Sequence, residues 1–299
     1  MTLRDFLQYG ESQLSASPHP DHAKRDAEAL LLHLIGKNKA WLMAHANDDF
    51  AGCSAIRYAS LLERRVKGEP IQYIMGEAEF YGMPFRVTPD VLIPRPETEH
   101  LVEKCLALAS HPGAPSFRPP LPEGWESTNP TSPIRVLDIG TGSGAIAIAL
   151  GHNLCSADIT ATDISPHALS LAEENAKRNE VAIRFLQGDL LSPVAGETFD
   201  LIVSNPPYVP PTDRDSLSVE VRDHEPALAL FASNDGLDIY RRLIPQAFAA
   251  LSPGGFIALE IGYGQQPAIQ SLLADTGFAN IEFTPDLQGI PRVVVAKRE

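Results

Sequence analysis

Asn205-Pro206-Pro207-Tyr208 brings together residue types that could act on a nitrogen. Asn205 and Pro206 each precede a proline, which pushes both towards extended backbone. The two prolines carry no N–H, so the turn is rich in hydrogen-bond acceptors. The Asn205 side-chain oxygen and the Pro206 carbonyl could accept the two hydrogens of one NH2 group, and Tyr208 could lie against a planar amide or base. Such a nitrogen is a weak nucleophile, because its lone pair is delocalised. Two acceptors would orient it and favour the positive charge that develops as it is alkylated, without a strong base. Asn205, Pro206 and Tyr208 are therefore the candidate catalytic residues, and Asn205, Pro206, Pro207 and Tyr208 the candidate acceptor-binding set. The plainer reading is a rigid proline turn at the end of a strand.

A second cluster lies upstream, in Asp138-Ile139-Gly140-Thr141-Gly142-Ser143-Gly144, which runs straight into a helical segment. Glycines allow a tight turn and close approach of a ligand to the backbone. The helix start suits a carboxylate or another anion. Asp163, at the end of the next strand, could accept both hydroxyls of a ribose. Asp189 and Leu190, after the strand beyond, stand where an adenine would lie. By themselves these residues fit either S-adenosylmethionine or a nicotinamide dinucleotide. Asp138 leans towards the methyl donor, whose free amino group its carboxylate could meet. The cofactor-binding candidates are Gly140, Thr141, Gly142, Ser143, Gly144, Asp163, Asp189, Leu190 and Asn205.

The elements that must position these residues alternate from Ile134 onward. Strands are expected at 134–139, 158–162, 183–187, 199–204, 256–261 and 293–296, with helices at 145–150, 166–179, 237–251 and 265–276. This is the pattern of a mainly parallel sheet covered on both faces, which binds ligands beyond the carboxyl ends of its strands. Earlier in the chain the periodicity is helical. From Asp21, the residues Ala23, Ala27, Leu30, Leu31, Leu34 and Ile35 share a face that stops at Gly36, and Ile56, Leu61, Leu62 and Val66 mark another helix ending near Gly68. Phe80–Phe85 reads as a hairpin or extended connector, and a helix follows Leu92-Ile93-Pro94-Arg95-Pro96 to about Ala109. The expected division is a helical domain over 1–70, a connector over 71–95 and a catalytic domain over 96–299. The Pro-rich segment 110–133 reads as a flexible surface insertion.

Composition narrows the class. Of 299 residues, 44% are hydrophobic and 21% charged, as in ordinary globular proteins. No apolar run reaches membrane-span length and no signal peptide opens the chain, so a cytoplasmic location is expected. Cys53, Cys105 and Cys155 are too few and too scattered for a disulfide framework or zinc site, and His19 and His22 lack companions, so no metal is expected. The net charge is -14, and residues 1–85 carry 9 basic and 11 acidic side chains against 15 and 27 in the remainder. An acidic catalytic half lacks the basic face that grips nucleic acid.

The sequence resembles the release factor glutamine methyltransferases, the HemK/PrmC group, over nearly its whole length. The likeness rests on the helical N-terminal region, Phe85, Leu92-Ile-Pro-Arg-Pro-Glu-Thr-Glu99, GTGSG, FDLIVSNPPY, Glu220-Val-Arg-Asp-His-Glu-Pro226 and Asp286-Leu-Gln-Gly-Ile-Pro-Arg292. It implies a Rossmann-like methyltransferase domain with a mainly parallel seven-stranded sheet, preceded by a small helical domain that docks the protein substrate. It implies methyl transfer from S-adenosylmethionine to the glutamine amide nitrogen in the Gly-Gly-Gln motif of peptide chain release factors, with Gly140–Gly144, Asp163, Leu190 and Asn205 on the donor and Asn205–Tyr208 on the glutamine. Some members carry a large aromatic residue where Leu190 stands, so adenine stacking would be made differently here. Arg95, Glu97 and Glu99 could organise a cleft between the domains or simply charge a helix start. Glu220, Arg222 and Glu225 could brace the NPPY turn or form a charged loop.

Three other readings use some of the same residues. An adenine-amino methyltransferase acting on DNA or RNA shares NPPY but calls for a basic, aromatic-studded recognition region, and none is evident. A nicotinamide oxidoreductase would leave NPPY unexplained. A non-catalytic adaptor would not need both motifs intact.

Overall fold

The computed structural model describes residues 1–17, 22–50, 52–109, 133–233 and 235–299. His19, Asp21 and nearly all of the Pro-rich 110–133 segment lie outside them. The chain runs through helices α1 (Leu3–Ser15), α2 (Ala23–Ile35), α3 (Lys39–Ala44), α4 (Cys53–Val66) and α5 (Ile71–Met75), then strands β1 (Glu77–Phe80) and β2 (Met83–Arg86) and helix α6 (Pro96–Ala109). Next come β3 (Arg135–Ile139), α7 (Ala145–Asn153), β4 (Asp158–Asp163), α8 (Pro166–Arg178), β5 (Arg184–Gln187) and β6 (Phe199–Ser204). The last part holds α9 (Val219–His224), α10 (Ala227–Leu230), α11 (Asp238–Ala250), β7 (Leu251–Glu260), α12 (Gln266–Thr276), β8 (Ala279–Pro285) and β9 (Pro291–Lys297). Contacts divide the chain into two units, Met1–Glu77 with Asp215–Glu225, and Ala78–Arg214 with Pro226–Glu299.

The first unit is helical. Thr2 and Asp5 form a reciprocal capping box that starts α1, and Gly36, in the left-handed region at φ 63°, ends α2 where the sequence places the stop. Leu14, Leu30, Leu31, Tyr58 and Leu62 form its core, and the Tyr58 hydroxyl donates to the Ala27 carbonyl at 3.0 Å. Arg65, at the end of α4, is buried. Its Nε donates to Asp26 Oδ2 on α2 at 2.8 Å, one terminal nitrogen donates to the Glu69 carbonyl at 3.0 Å, and the other pairs with Glu220 on α9. Residues 215–225, far away in sequence, thereby belong to this helical unit. Ile56, expected on the buried face of α4, is instead 73% exposed.

The second unit carries a seven-stranded sheet in the order β5-β4-β3-β6-β7-β9-β8, as expected in strand number. β5 through β7 are parallel, and β9 runs antiparallel to both β7 and β8. Successive residues of the central strands enter opposite cores. Val136, Leu201 and Val203 pack with α6 and α7, while Leu137, Phe199 and Ile202 pack with residues of α11 and α12. Burial on both faces is why these strands read as continuous apolar runs. Leu137→Ala would cost about 2–5 kcal/mol at such a fully buried position. Residues 71–95 open with the short helix α5 before the β1–β2 hairpin, whose turn residues Tyr81 and Gly82 both have positive φ, 53° and 73°. That is the type I′ geometry that matches strand twist. Glu99 of α6 steadies the turn by accepting from the Tyr81 N–H at 2.9 Å.

Candidate active site

The strand order reverses between β3 and β6, and the crevice at such a switch point is where doubly wound sheets bind ligands. The two strands pair in parallel, with Ile139 opposite Ser204. Their ends are tied by the Ser204 hydroxyl, which donates to the Ile139 carbonyl at 2.7 Å. The glycine loop and the NPPY turn therefore leave the sheet side by side. They border one cavity of roughly 500 Å³, a size suited to a nucleoside-sized ligand. Gly140, Thr141, Gly142, Ser143, Asp163, Asp189, Leu190, Asn205, Pro206 and Pro207 all line it, whereas Gly144 and Tyr208 do not.

The loop is held from below. The Gly140 and Thr141 N–H groups donate to the Thr162 carbonyl at 2.8 and 3.0 Å. Gly142 sits at φ 56°, and a Cβ added there would meet nothing within 4 Å, so backbone conformation rather than crowding calls for glycine. Gly144 differs, because a Cβ there would lie 2.9 Å from Ile148 and 3.1 Å from the Ala172 side chain. Its service is to close helix packing, which explains its place outside the cavity wall. Asn175 of α8 is buried and bridges the loop to the hairpin strand. Its Nδ2 donates to the carbonyls of Ser143 and Arg86 at 2.9 and 3.0 Å, and its Oδ1 accepts from the Arg86 N–H at 2.7 Å.

Two carboxylates underlie the loop. Asp163 Oδ2 accepts from the Gly142 N–H at 2.8 Å and Oδ1 from the Ser165 N–H at 2.9 Å. Burial raises its pKa, and these amides partly oppose the rise. Each carboxylate oxygen has a further lone pair, so the residue could brace the loop and still accept two ribose hydroxyls. Asp138 is fully buried. Its Oδ2 accepts from the Thr141 hydroxyl at 2.7 Å and the Ala147 N–H at 3.2 Å, while Oδ1 has no hydrogen-bond partner among the described residues. Burial pushes its pKa up to about 7. An unpartnered buried acceptor behind the start of α7, whose free N–H groups suit an anion, fits a zwitterionic amino acid, carboxylate and amino group together, better than a dinucleotide. On the far rim Asp189 pairs with Arg242 near the surface, and Leu190 holds φ 51° with its carbonyl accepting from the Thr162 hydroxyl at 3.2 Å.

The NPPY turn is organised by residues that the sequence did not single out. The Thr98 hydroxyl, in the first turn of α6, donates to Glu260 Oε2 at 2.6 Å and accepts from Asn205 Nδ2 at 3.2 Å. Glu260 ends β7, is 2% exposed, and its Oε1 receives the Tyr208 hydroxyl at 3.4 Å. Burial raises the Glu260 pKa to about 7, against the opposing effects of Thr98, Arg292 and Tyr208. The same burial, with the Glu260 charge, raises the Tyr208 phenol above its ordinary value. Gln265 Nε2 donates to the Tyr208 carbonyl at 3.0 Å, and its Oε1 accepts from the Gly262 N–H at 2.9 Å. Tyr208 thus supports the turn from behind. A carboxylate inside the apolar run of β7 was the available signal for Glu260. Nothing separated Thr98 from an ordinary helix-start residue.

The remaining candidates are dispersed. Arg95 lines the cavity, Glu99 serves the hairpin, and Glu97 raises the Glu260 pKa slightly. Arg222 pairs with adjacent Asp223, and Glu220 with Arg65, within the helical unit. No three His, Cys, Asp or Glu side chains converge as metal ligands among the described residues. No described helix is long and apolar enough to cross a membrane.

The family models for the PrmC N-terminal domain and the methyltransferase small domain match residues 5–76 and 127–220. Among solved structures, the catalytic domain of hMettl16 with a MAT2A 3′UTR hairpin superposes with a TM-score of 0.55 at 15% identity, covering 89% of this chain and 90% of that one. The 16S rRNA N2 G1207 methyltransferase of T. Thermophilus, in complex with AdoMet and guanosine, gives 0.51 at 20% identity, covering 75% and 50%. At such identities the likeness shows a shared methyltransferase fold. Sequence relatives are nearer. The release factor glutamine methyltransferase of Koribacter versatilis is 41% identical over 100% of this chain and 99% of its own length. Those of Geobacter sulfurreducens and Salmonella typhimurium are 38% and 36% identical, covering 98% and 99% of this chain and 95% and 99% of their own. With a sheet whose switch point sets a glycine loop beside an NPPY turn, and with identity of this level from end to end, the chain belongs to the release factor glutamine methyltransferases.

Proposed function

We propose that the protein transfers a methyl group from S-adenosylmethionine to the side-chain amide nitrogen of the glutamine in the Gly-Gly-Gln motif of a peptide chain release factor. The observation that carries this reading is the Ile139–Ser204 pairing, which brings the glycine loop and the NPPY turn to one cavity. When bound, S-adenosylmethionine supplies an electrophilic sulfonium methyl. Asp163 accepts the ribose hydroxyls, Asp138, buried behind the loop, favours the amino group by its charge, and Asp189 and Leu190 border the adenine. Asn205 Oδ1 and the Pro206 carbonyl accept the two amide hydrogens and hold the nitrogen in line with the methyl. Both are neutral, so their contribution is orientation and stabilisation of developing positive charge. The nitrogen gains the methyl as the sulfonium S–CH3 bond breaks to leave a neutral thioether, and the spare proton then passes to water. Pro207 keeps the turn rigid, and Tyr208 supports it through Glu260 and Gln265.

The helical domain, proposed to span residues 1–70, docks the release factor, and the reaction takes place in the cytoplasm without direct binding of nucleic acid. The test is an assay with isotopically labelled methyl donor, in which release factor, DNA and RNA are offered separately and the product is mapped by mass spectrometry. Label on a single release factor glutamine is expected. Label on adenine amino groups, with none on protein, would replace this reading by the nucleic-acid one.

A further inference from the structure

Resting on the proposed reaction, we infer that Thr98 and Glu260 are positioning residues that orient the Asn205 side-chain amide and thereby select a glutamine NH2 over a carboxylate. The argument is one of proton direction. A carboxylate oxygen only accepts, so the Thr98 hydroxyl, 2.6 Å from Glu260 Oε2, must spend its single proton there. Towards Asn205 the Thr98 oxygen can then only accept. This forces Asn205 to present Nδ2 to Thr98, as observed at 3.2 Å. Oδ1 is left for the acceptor side. Beside the Pro206 carbonyl it makes a pair of acceptors that fits an NH2 group and repels a glutamate side chain in the same place. Were the amide free to rotate, half of its orientations would present a donor and lose this distinction.

Glu260 is well placed for the task, since burial at 2% exposure leaves it few other partners. The groups that face it are Glu97 and Thr98 from α6, Tyr208 from the turn, Arg292 from β9 and Tyr240 from α11, whose hydroxyl donates to the Glu260 main-chain carbonyl at 2.7 Å. Arg292 is the cation among them and favours the ionised form that the relay needs. Protonation near pH 7 would let Glu260 donate to Thr98, reverse the relay and release Asn205.

Single-turnover methyl transfer at saturating donor tests this, with Asn205→Ala as the reference. Thr98→Val removes the relay with little change of volume. It should slow transfer by at least about tenfold, leave donor affinity unchanged, and bind a release factor carrying glutamate for glutamine relatively better than wild type does. Thr98→Ser should restore both rate and selectivity. Wild-type rates should rise between pH 6 and 8, while Glu260→Gln, whose Oε1 still accepts from Thr98, should be nearly independent of pH there. If Thr98→Val folds poorly by circular dichroism, the Glu260→Gln pH profile decides alone. An impaired Asn205→Ala beside a wild-type-like Thr98→Val, or a Glu260→Gln profile as steep as wild type, overturns the relay. An unimpaired Asn205→Ala overturns the NPPY reading itself.

Discussion

Ser204 Oγ donates to the Ile139 carbonyl at 2.7 Å, in a buried bond between the last residues of two neighbouring strands. The glycine loop starts one residue beyond one partner and the NPPY turn one residue beyond the other. Removing the hydroxyl leaves a buried carbonyl short of a donor. Ser204→Ala should cost about 1–3 kcal/mol. Methyl transfer should fall more than donor affinity, because the distance between the two loops changes while each loop survives. Calorimetric melting and single-turnover rates on the same preparation check both.

Asp163 has two tasks, and they can be separated. Asp163→Ala frees the Gly142 and Ser165 amides as well as any ribose contact, so S-adenosylmethionine affinity should drop by at least about tenfold. Asp163→Asn keeps one acceptor and should lie between wild type and alanine. Titration calorimetry gives the order, and an unchanged dissociation constant for Asp163→Ala would remove the residue from the donor site.

Asp138 predicts opposite effects on stability and binding. Its folded pKa of about 7 lies above the ordinary aspartate value of 3.8, so the stability linked to it is complete at low pH and is lost as pH rises through 7. Glu260, raised from 4.5 to about 7, acts in the same direction. The melting temperature should therefore decline between pH 5 and 8. Asp138→Asn should flatten part of that decline and raise stability at pH 8, yet weaken S-adenosylmethionine binding there. A variant that is both more stable and equally tight would show that the buried Oδ1 does not serve the donor.

Asn205→Ala should lower the single-turnover rate by about 10²–10³ at saturating substrates, with only a modest effect on donor affinity. Tyr208→Phe removes only a 3.4 Å contact with Glu260 and should be mild, whereas Tyr208→Ala should loosen the turn that Gln265 holds. Equal losses in both tyrosine variants would assign the phenol hydroxyl a larger part than this geometry supports.

Arg65→Met removes the cation between Asp26 and Glu220 and leaves the nearly inaccessible Asp26 carboxylate with the exposed Arg25, 3.5 Å from its Oδ1, as its remaining ion pair among the described residues. Breaking a buried pair in this way typically costs about 3–5 kcal/mol. Hydrogen exchange should show protection lost in α2, α4 and α9, with the central strands unaffected. Uniform loss across the chain would mean that the two units do not open separately.

Local signals revealed much of the fold. Ile134–Ile139 and Phe199–Ser204 read as strands because both their faces are buried, and the glycine and NPPY motifs mark the ends of those strands. β8 escaped the reading because it is an edge strand in which Ile281 and Phe283 alternate with exposed Asn280 and Glu282, a weak pattern beside the continuous runs. β7 starts earlier than expected because Ser252-Pro253-Gly254-Gly255 has the composition of a turn. Ile56 satisfied the helical period, yet solvent covers it. In the site, the Gly140–Ser143 and Asn205–Pro207 stretches of the cavity wall were legible, because loop chemistry is written in consecutive letters, whereas its Val91, Leu228 and Phe231 side was not. The supporting set was not. Thr98 and Glu260 are 162 residues apart, and only the sheet brings them together.

The return of residues 215–225 to the helical unit has a consequence for biosynthesis. On the ribosome, α1 to α5 emerge early but lack α9, and Arg65 waits for Glu220. At about 5–20 residues per second, the missing segment, roughly 140 residues downstream of Glu77, arrives roughly 7–28 s later. During that interval Asp26 alone must neutralise the guanidinium, and the surface reserved for α9 stays open to solvent or a chaperone. The helical unit is thus completed only after β3, β4, β5 and β6 have been made.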